Sequence, residues 1–377
     1  MTFARTYLDH NATAPLRPEA RAAMLDALDT LGNPSSVHAE GRRARAIVEE
    51  ARERVAALVG VTPAQVVFTS GATEANCAVL RAGWESILVA GIEHDSVLAP
   101  ARASGAAIVE VPVDANGRTE LPTISSALDR SGSGKSVLAL QLANNETGVI
   151  QPVAEAAAVA HEHGVCVHSD AVQAAGRMEL DFETLGVDTL SLSAHKLGGP
   201  KGVGALVLRE GFDIAPFVVG GGQERRRRAG TENVPGIAGF GAAASAAKRD
   251  LADMGRIGAL RDRLESGALA MAPDALAIGS GAERLPNTTC LALPGLSAET
   301  LVIRFDLAGV AISAGAACSS GKVGVSPVLT AMGLPEDVAR SAIRVSLGWT
   351  TTEADVDEFL AAWGSIVGHG GRERAVA

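Results

Sequence analysis

Between about residues 17 and 210 the chain alternates short β-rich runs with helical stretches, and this alternation restricts the possible folds more than any other feature. The runs are Val66-Val67-Phe68, Ile87-Leu88-Val89, Ile108 to Val111, Val137 to Leu142, Val165-Cys166-Val167 and Thr189 to Leu192. Helical segments at 72–83, 95–104, 121–129 and 152–163 separate most of them. Strands that alternate with helices predict a mostly parallel sheet covered on both faces. Two helices come first. One runs from Pro18 to Leu31, with proline near its start and Gly32 as a stop, and a charged amphipathic one runs from Gly41 to Val59, ended by Gly60. After about residue 250 the character changes. An arginine- and alanine-rich helix (248–272), short strands near 289–293 and 310–313, and a helix at 353–366 predict a smaller α/β lobe, with Gly368 to Ala377 as a frayed end.

A chain of 377 residues, 47% hydrophobic, can bury a large core of two or three lobes. Its net charge of −10 disfavours nucleic acid and anionic membranes as partners, because both would repel such a surface. No apolar stretch reaches the roughly 18 residues that a membrane helix needs, and the polar start from Met1 to His10 does not read as a signal peptide. The four cysteines (77, 166, 290 and 318) are widely spaced and include no CxxC pair, which argues against a disulfide framework or a structural zinc site. The expectation is a soluble, cytoplasmic, reduced protein.

In a sheet of this kind ligands sit at the carboxyl ends of the strands. Ser70-Gly71-Ala72-Thr73, Asn144-Asn145-Glu146, Asp170 and Ser193 all fall just after predicted strands, which points to one shared site. Lys196 closes the run Ser193-Ala194-His195-Lys196, and a glycine-rich turn follows it. A carboxylate at one strand end and a Ser-x-His-Lys turn at another is what a pyridoxal phosphate site requires. There the lysine forms a Schiff base, Ser193 and His195 hold phosphate, and Asp170 keeps the pyridine nitrogen protonated. Only five lysines exist (135, 196, 201, 248 and 322), so candidates for that lysine are few. Ala72 and Thr73 open a helix, where backbone N–H groups and a hydroxyl suit phosphate. His94, in Glu93-His94 at another strand end, could stack on a pyridine ring and relay protons. Asn145 and Gln173 could hydrogen-bond the phenolic oxygen of that ring.

Cys318 lies in a loop of small residues, Ala314 to Gly321, with no apolar periodicity around it, and reads as a reactive thiol. Cys77, Cys166 and Cys290 sit in apolar runs and read as small buried hydrophobes. Three patterns lead elsewhere. Ser133-Gly134-Lys135-Ser136 imitates a phosphate-binding loop, but Asp129 stands where its first glycine belongs and the run precedes its strand. His161, His163, Cys166 and His168 resemble a metal cluster but divide between a helix end and a strand. The arginines 225–228 lie in the glycine-rich loop from Gly220 to Gly230 and border an anionic cofactor more readily than nucleic acid.

Taken together, these motifs resemble the cysteine desulfurase family of the class V aminotransferase superfamily. The resemblance runs from Tyr7-Leu8-Asp9-His10-Asn11-Ala12-Thr13-Ala14 through Gly32 to Ser36, Thr69 to Glu74, Glu93-His94, Asn144 to Gly148, His168 to Gln173, Ser193 to Lys196, Gly220 to Thr231 and Cys318, and ends with Ile343 to Gly348. It implies the PLP-dependent transferase fold type I: a large domain over residues 15–250, and a small domain built from 1–14 and 251–377 that carries the cysteine loop. It implies catalytic roles for Lys196, His94 and Cys318, and cofactor contacts from Ala72, Thr73, Asn145, Asp170, Gln173, Ser193 and His195. Thr231 would reach the phosphate of the neighbouring subunit of a homodimer. Asn11 and Arg344 would hold the substrate carboxylate. The implied activity takes sulfur from L-cysteine, releases L-alanine and leaves a persulfide on Cys318 for an acceptor such as an iron–sulfur cluster scaffold. A selenocysteine lyase or another enzyme of the superfamily is the alternative. One departure is visible: His10 stands where the family usually has asparagine.

Overall fold

The structure, a computed structural model, describes residues 5–132, 134–315 and 325–374. Seven strands form the central sheet in the order Val66–Thr69, Gly204–Leu208, Thr189–Ser193, Cys166–Asp170, Ser136–Ala139, Ser86–Ala90, Ala107–Val111. Five neighbouring strands run parallel, and Gly204–Leu208 is antiparallel to the strands on either side of it. Six strands therefore point their carboxyl ends at one edge of the sheet. The runs in the inner strands are buried because helices cover both faces, as a parallel sheet requires, whereas the edge strand Ala107–Val111 is largely exposed.

Two elements of this half depart from the sequence pattern. The Gly204–Leu208 strand follows directly on a glycine-rich turn and was not expected as a strand. A helix that was not expected, Val234–Asp250, precedes the one expected over 248–272, which is Met254–Met271. The first reads as a broken segment because it holds Gly236, Gly239 and Gly241, but those glycines serve packing. A Cβ at Gly241 would come within 2.6 Å of the Ala51 Cα in the helix Ala39–Leu58, so only glycine permits this close helix contact.

The second sheet is antiparallel, in the order Ser313–Ala314, Ala342–Ser346, Thr288–Ala292, Leu276–Ile278. Beside it Thr6–Tyr7 pairs in parallel with Val310–Ala311, and Asp9 bridges to Ser346. Its core gathers Leu8 with Leu264, Leu291, Phe305, Phe359 and Trp363, and the Phe305 and Phe359 rings stack at 4.9 Å. Trp363 is fully buried and donates its indole N–H to the Ala268 carbonyl at 3.0 Å, so truncating it to alanine would cost about 3–5 kcal/mol. The last helix runs on to Arg374, past the fraying expected from Gly368. Among the described residues no helix is long and apolar enough to cross a membrane.

Candidate active site

A cavity of about 600 Å³ opens at the edge where the parallel strands end. Five strand ends feed it: Ser70 follows Thr69, His94 follows the strand ending at Ala90, Gln141 and Asn145 follow Ala139, and Asp170 and Ser193 are themselves terminal strand residues. Ala72, Thr73, Gln173, His195 and Lys196 line it as well. Nine of the residues singled out from the sequence thus share one wall, although they are spread from 72 to 196.

Lys196 ends a short 3-10 turn that begins after Ser193. Its Nζ donates to the carbonyls of Asn11 and of Ala12, the latter at 2.9 Å, which ties the N-terminal segment to the cavity floor. His195 faces the Thr13 hydroxyl at 3.2 Å. Burial, with the charges of Lys196, Lys201 and Arg177, lowers its pKa to about 4, so the ring is neutral at pH 7. His94 caps the helix Asp95–Arg102, accepting the Ser96 N–H on Nδ1 at 3.0 Å. The capping role and the place in the cavity wall coexist. Because Nδ1 is an acceptor there, a neutral His94 carries its proton on Nε2.

Asp170 is held from two sides. Oδ1 accepts the Val172 N–H and Oδ2 accepts from Asn76 Nδ2, each at 2.9 Å. Asn76 is fully buried, and its Oδ1 meets His168 Nε2 at 2.9 Å, while His168 Nδ1 meets the Thr189 hydroxyl at 2.8 Å. Burial holds the His168 imidazole well below its usual range, so it is neutral. Asn76 donates to the carboxylate, which leaves Oδ1 as an acceptor, so His168 is protonated on Nε2 and accepts from Thr189. This chain, Thr189 to His168 to Asn76 to Asp170, presents the carboxylate at the cavity in one orientation.

Gly71 and Gly202 line the cavity, and a Cβ on either would meet no atom within 4 Å. The helix Ala72–Leu80 begins there, and its first-turn N–H groups lie ahead of the helix's own hydrogen-bond ladder. Glu74 takes the Ser70 N–H at 2.7 Å and pairs with Arg228 at 2.9 Å, which closes the outer rim. None of the four arginines 225–228 lines the cavity. Arg228 borders it through Glu74, and Arg227 pairs with Asp213.

The remaining candidates lie behind the wall or away from it. Asn11 donates to the Asn145 carbonyl (3.1 Å) and the Thr288 hydroxyl (2.9 Å) and accepts from Asn287. Arg344 is 1% exposed, pairs with Asp9 at 2.7 Å and donates to the Asn145 carbonyl at 3.2 Å, and among the described residues its Nε has no partner. Thr231 is exposed in the loop before the helix Val234–Asp250 and lines none of this cavity. Cys318 lies outside the described residues. His10, the departure noted in the sequence, packs edge-on against Tyr7 at 5.4 Å and does not line the large cavity. The sequence patterns that suggested other sites also find partners. Lys135 lies over the Trp84 ring, and His161 faces Asp188.

Sequence reasoning missed Asn76, Ser96 and Gln141. The signal for Asn76 was an asparagine one turn into a helix, a poor helix former that must earn its place. Gln141 is held by Glu93, whose Oε1 accepts the Gln141 N–H at 2.6 Å. Burial, reinforced by the Asp170 charge, pushes the Glu93 carboxyl well above the usual range.

The parallel sheet with its smaller antiparallel partner, and a lysine, an aspartate and a helix start converging at the strand ends, define a fold type I α/β enzyme. The chain belongs to the aminotransferase class-V family, whose model matches residues 6–359. It is 43% identical over 375 residues to a cysteine desulfurase of Cereibacter sphaeroides, covering 96% of each chain. A NifS-like protein of Rickettsia africae superposes with a TM-score of 0.90 at 34% identity, covering 96% of this chain and 99% of that one. A structure described as SspA in complex with cysteine matches with a TM-score of 0.78 at 28% identity, over 91% and 98%.

Proposed function

We propose that the chain is a pyridoxal phosphate-dependent cysteine desulfurase, converting L-cysteine to L-alanine and transferring the sulfur to Cys318. The observation that carries this reading is the single cavity in which Lys196, Asp170, His94 and the start of the helix Ala72–Leu80 meet. The relatives named cysteine desulfurase and the neighbour crystallised with cysteine agree with it.

The residues present fit the cofactor. The uncovered backbone at Gly71 and Gly202 leaves room for a phosphate against helix-start N–H groups, with Ala72, Thr73, Ser193 and His195 beside it. Asp170, oriented by Asn76, suits a protonated pyridine nitrogen, and His94 a ring face. Gln173 and Asn145 suit the ring oxygen. When bound, pyridoxal phosphate supplies an electrophilic carbon for the substrate amine and a sink for the electron pair left at Cα.

The chain's own residues do the rest. Lys196 would hold the cofactor by its amine, and its amine would serve as the general base that takes the Cα proton. By the family resemblance Arg344 and Asn11 would hold the substrate carboxylate, for which they would have to turn toward the cavity from Asp9 and Thr288. The Cys318 thiolate attacks the substrate sulfur. An S–S bond forms, the carbon–sulfur bond breaks, and its electron pair stays with Cβ, which gains a proton; Lys196 returns to Cα the proton it took, and the product is alanine. Cysteine and the enzyme thiol give alanine and an enzyme persulfide, so atoms and electrons balance without a further oxidant. An acceptor protein, such as an iron–sulfur scaffold, then takes the sulfur. The same proposal covers a cytoplasmic homodimer in which Thr231 serves the neighbouring subunit. It also covers a large domain of residues 15–250 and a small one of 1–14 with 251–377. The core that joins Leu8 to residues from 257 onward supports that division.

The test is to load the chain with pyridoxal phosphate, add L-cysteine, and measure alanine and persulfide in equal amounts. Borohydride reduction followed by peptide mapping should fix the cofactor on Lys196. Attachment at Lys201 or Lys135 would overturn the assignment.

A further inference from the structure

Arg177 is an outlier among the buried arginines. Arg17 pairs with Asp250, Arg52 with Glu224 and Arg344 with Asp9. Arg177 is 7% exposed, yet among the described residues its hydrogen bonds all go to neutral acceptors. Nη1 donates to the Gln173 carbonyl at 2.8 Å and to Gln173 Oε1, and Nη2 donates to the His10 carbonyl at 3.2 Å. The local chain is shaped for this contact. Gly176 turns at φ +72°, and a Cβ there would lie 2.8 Å from Leu197 and 2.9 Å from Ala247, so the turn that returns Arg177 beneath Gln173 needs glycine.

Two consequences follow from elementary chemistry. A guanidinium has donors only, so the Gln173 atom that faces it must be the oxygen. The amide nitrogen is then turned the other way, where it donates to the Asn11 carbonyl at 3.2 Å beside the cavity. With the amide reversed, two donors would oppose each other in a buried site. The second consequence is charge. Burial, with the nearby Arg344, lowers the Arg177 pKa to about 9, which still leaves it cationic at pH 7. Its field helps to hold His10 and His195 neutral.

We propose that Arg177 is a positioning residue that fixes the Gln173 amide with its donor toward the cavity and sets an unpaired positive charge behind it, so that the site favours a negatively charged oxygen on the cofactor ring. This rests on the pyridoxal phosphate reading. It adds a residue that touches neither cofactor nor substrate but decides what Gln173 can offer them.

The experiment compares wild type with Arg177→Met and Arg177→Lys, without cysteine. One readout is the apparent pKa of the visible absorbance of the bound cofactor, and the other is the melting temperature of the cofactor-free chain. Arg177→Met should raise the apparent pKa by about one unit, a tenfold change in proton affinity, and Arg177→Lys should recover at least half of that. The melting temperature of Arg177→Met should stay level or rise, because a buried unpaired charge gives way to an apolar side chain. A purely structural arginine would show the reverse, a lower melting temperature with an unmoved spectrum, and that result would overturn the proposal. Should Arg177→Met fail to fold, Gln173→Glu replaces the amide donor and neutralises Arg177. It should raise the apparent pKa by at least as much, and an unchanged value would overturn the proposal equally. A wild-type chain that shows no visible band with pyridoxal phosphate would overturn the underlying reading, whereas a band with an unmoved pKa would overturn the role of Arg177 alone.

Discussion

The two walls of the cavity are built differently. The strand-end wall, from Thr73 to Lys196, comes from one sheet, and its key carboxylate is oriented by a closed chain of buried neutral partners, Asn76, His168 and Thr189. The junction wall behind Asn145 is assembled from Asn11, Glu146, Ser326 and Arg344, segments far apart in the chain. It contains unbalanced groups: among the described residues Arg344 Nε has no partner, and burial raises the Glu146 carboxyl to a pKa of about 7 against the opposing pull of Ser326, Arg344 and His94. The Asp170 carboxylate in the strand-end wall is therefore preorganised, with neutral partners behind it, whereas the Glu146 carboxyl at the junction is charged or neutral according to conditions. On the proposed function, placement of the cofactor would belong to the first wall and response to substrate to the second.

The largest expected effect tests the strand-end wall. Lys196→Ala should remove the visible absorbance of bound cofactor and reduce alanine formation by about 10⁴-fold, the upper range for loss of a general base. Asp170, Asn76 and His168 do not involve the lysine, so the fold should survive, as circular dichroism would show. Retention of more than a tenth of the activity would mean that another base serves, and that this wall is not the centre of the chemistry.

Cys318→Ser comes next and separates cofactor chemistry from sulfur transfer. The spectrum and cofactor content should match wild type, while sulfur release should drop by about 10³-fold, because a serine hydroxyl is not ionised near pH 7. Thiol trapping of wild type with cysteine should place the added sulfur on Cys318. Cys290 is a poor rival, since burial holds its thiol far above the usual range. Wild-type sulfide production by Cys318→Ser would favour direct elimination.

Glu146→Gln addresses the junction. Its carboxyl accepts the Ser326 hydroxyl at 2.6 Å and lies near Gly315, so it contacts both described ends of the stretch that contains Cys318. A buried acid with a raised pKa contributes stability below the unfolded value of about 4.5 and loses it as pH rises through the folded value of about 7. Wild type should therefore lose up to roughly 3 kcal/mol relative to Glu146→Gln between pH 4.5 and 8, read as a converging and then crossing pair of urea midpoints. Parallel midpoints across that range would show that Glu146 does not titrate differently in the folded chain.

The same contrast explains what could be read from the sequence. Strand-end residues announce themselves locally: a run such as Ser193 to Lys196 holds a strand end, a turn and the reactive group within four positions. The antiparallel Gly204–Leu208 strand and the helix Val234–Asp250 were hidden, because their glycines serve close packing that only the tertiary structure reveals. The junction was legible only through resemblance, since nothing near Arg344 indicates that it meets Asp9 and Asn145. Arg177 and Asn76 escaped because each acts through another side chain, and no local pattern marks such a role.

Thr231 gives the smallest effect and reaches beyond both walls. It is exposed and lines no part of its own chain's cavity, so in a monomer Thr231→Ala should change nothing. In the proposed homodimer its hydroxyl donates to the phosphate held by the neighbour. Losing one hydrogen bond to a charged group costs about 1.5 kcal/mol, so cofactor retention should weaken about tenfold. Equilibrium dialysis would measure this, with sedimentation confirming that the variant is still dimeric. The Lys196 absorbance should persist, because the contacts at Ala72, Thr73, Ser193 and His195 belong to the same chain as the lysine. A monomeric wild type with full activity at assay concentration would remove the second subunit from the site and leave the two walls of a single chain to do the chemistry alone.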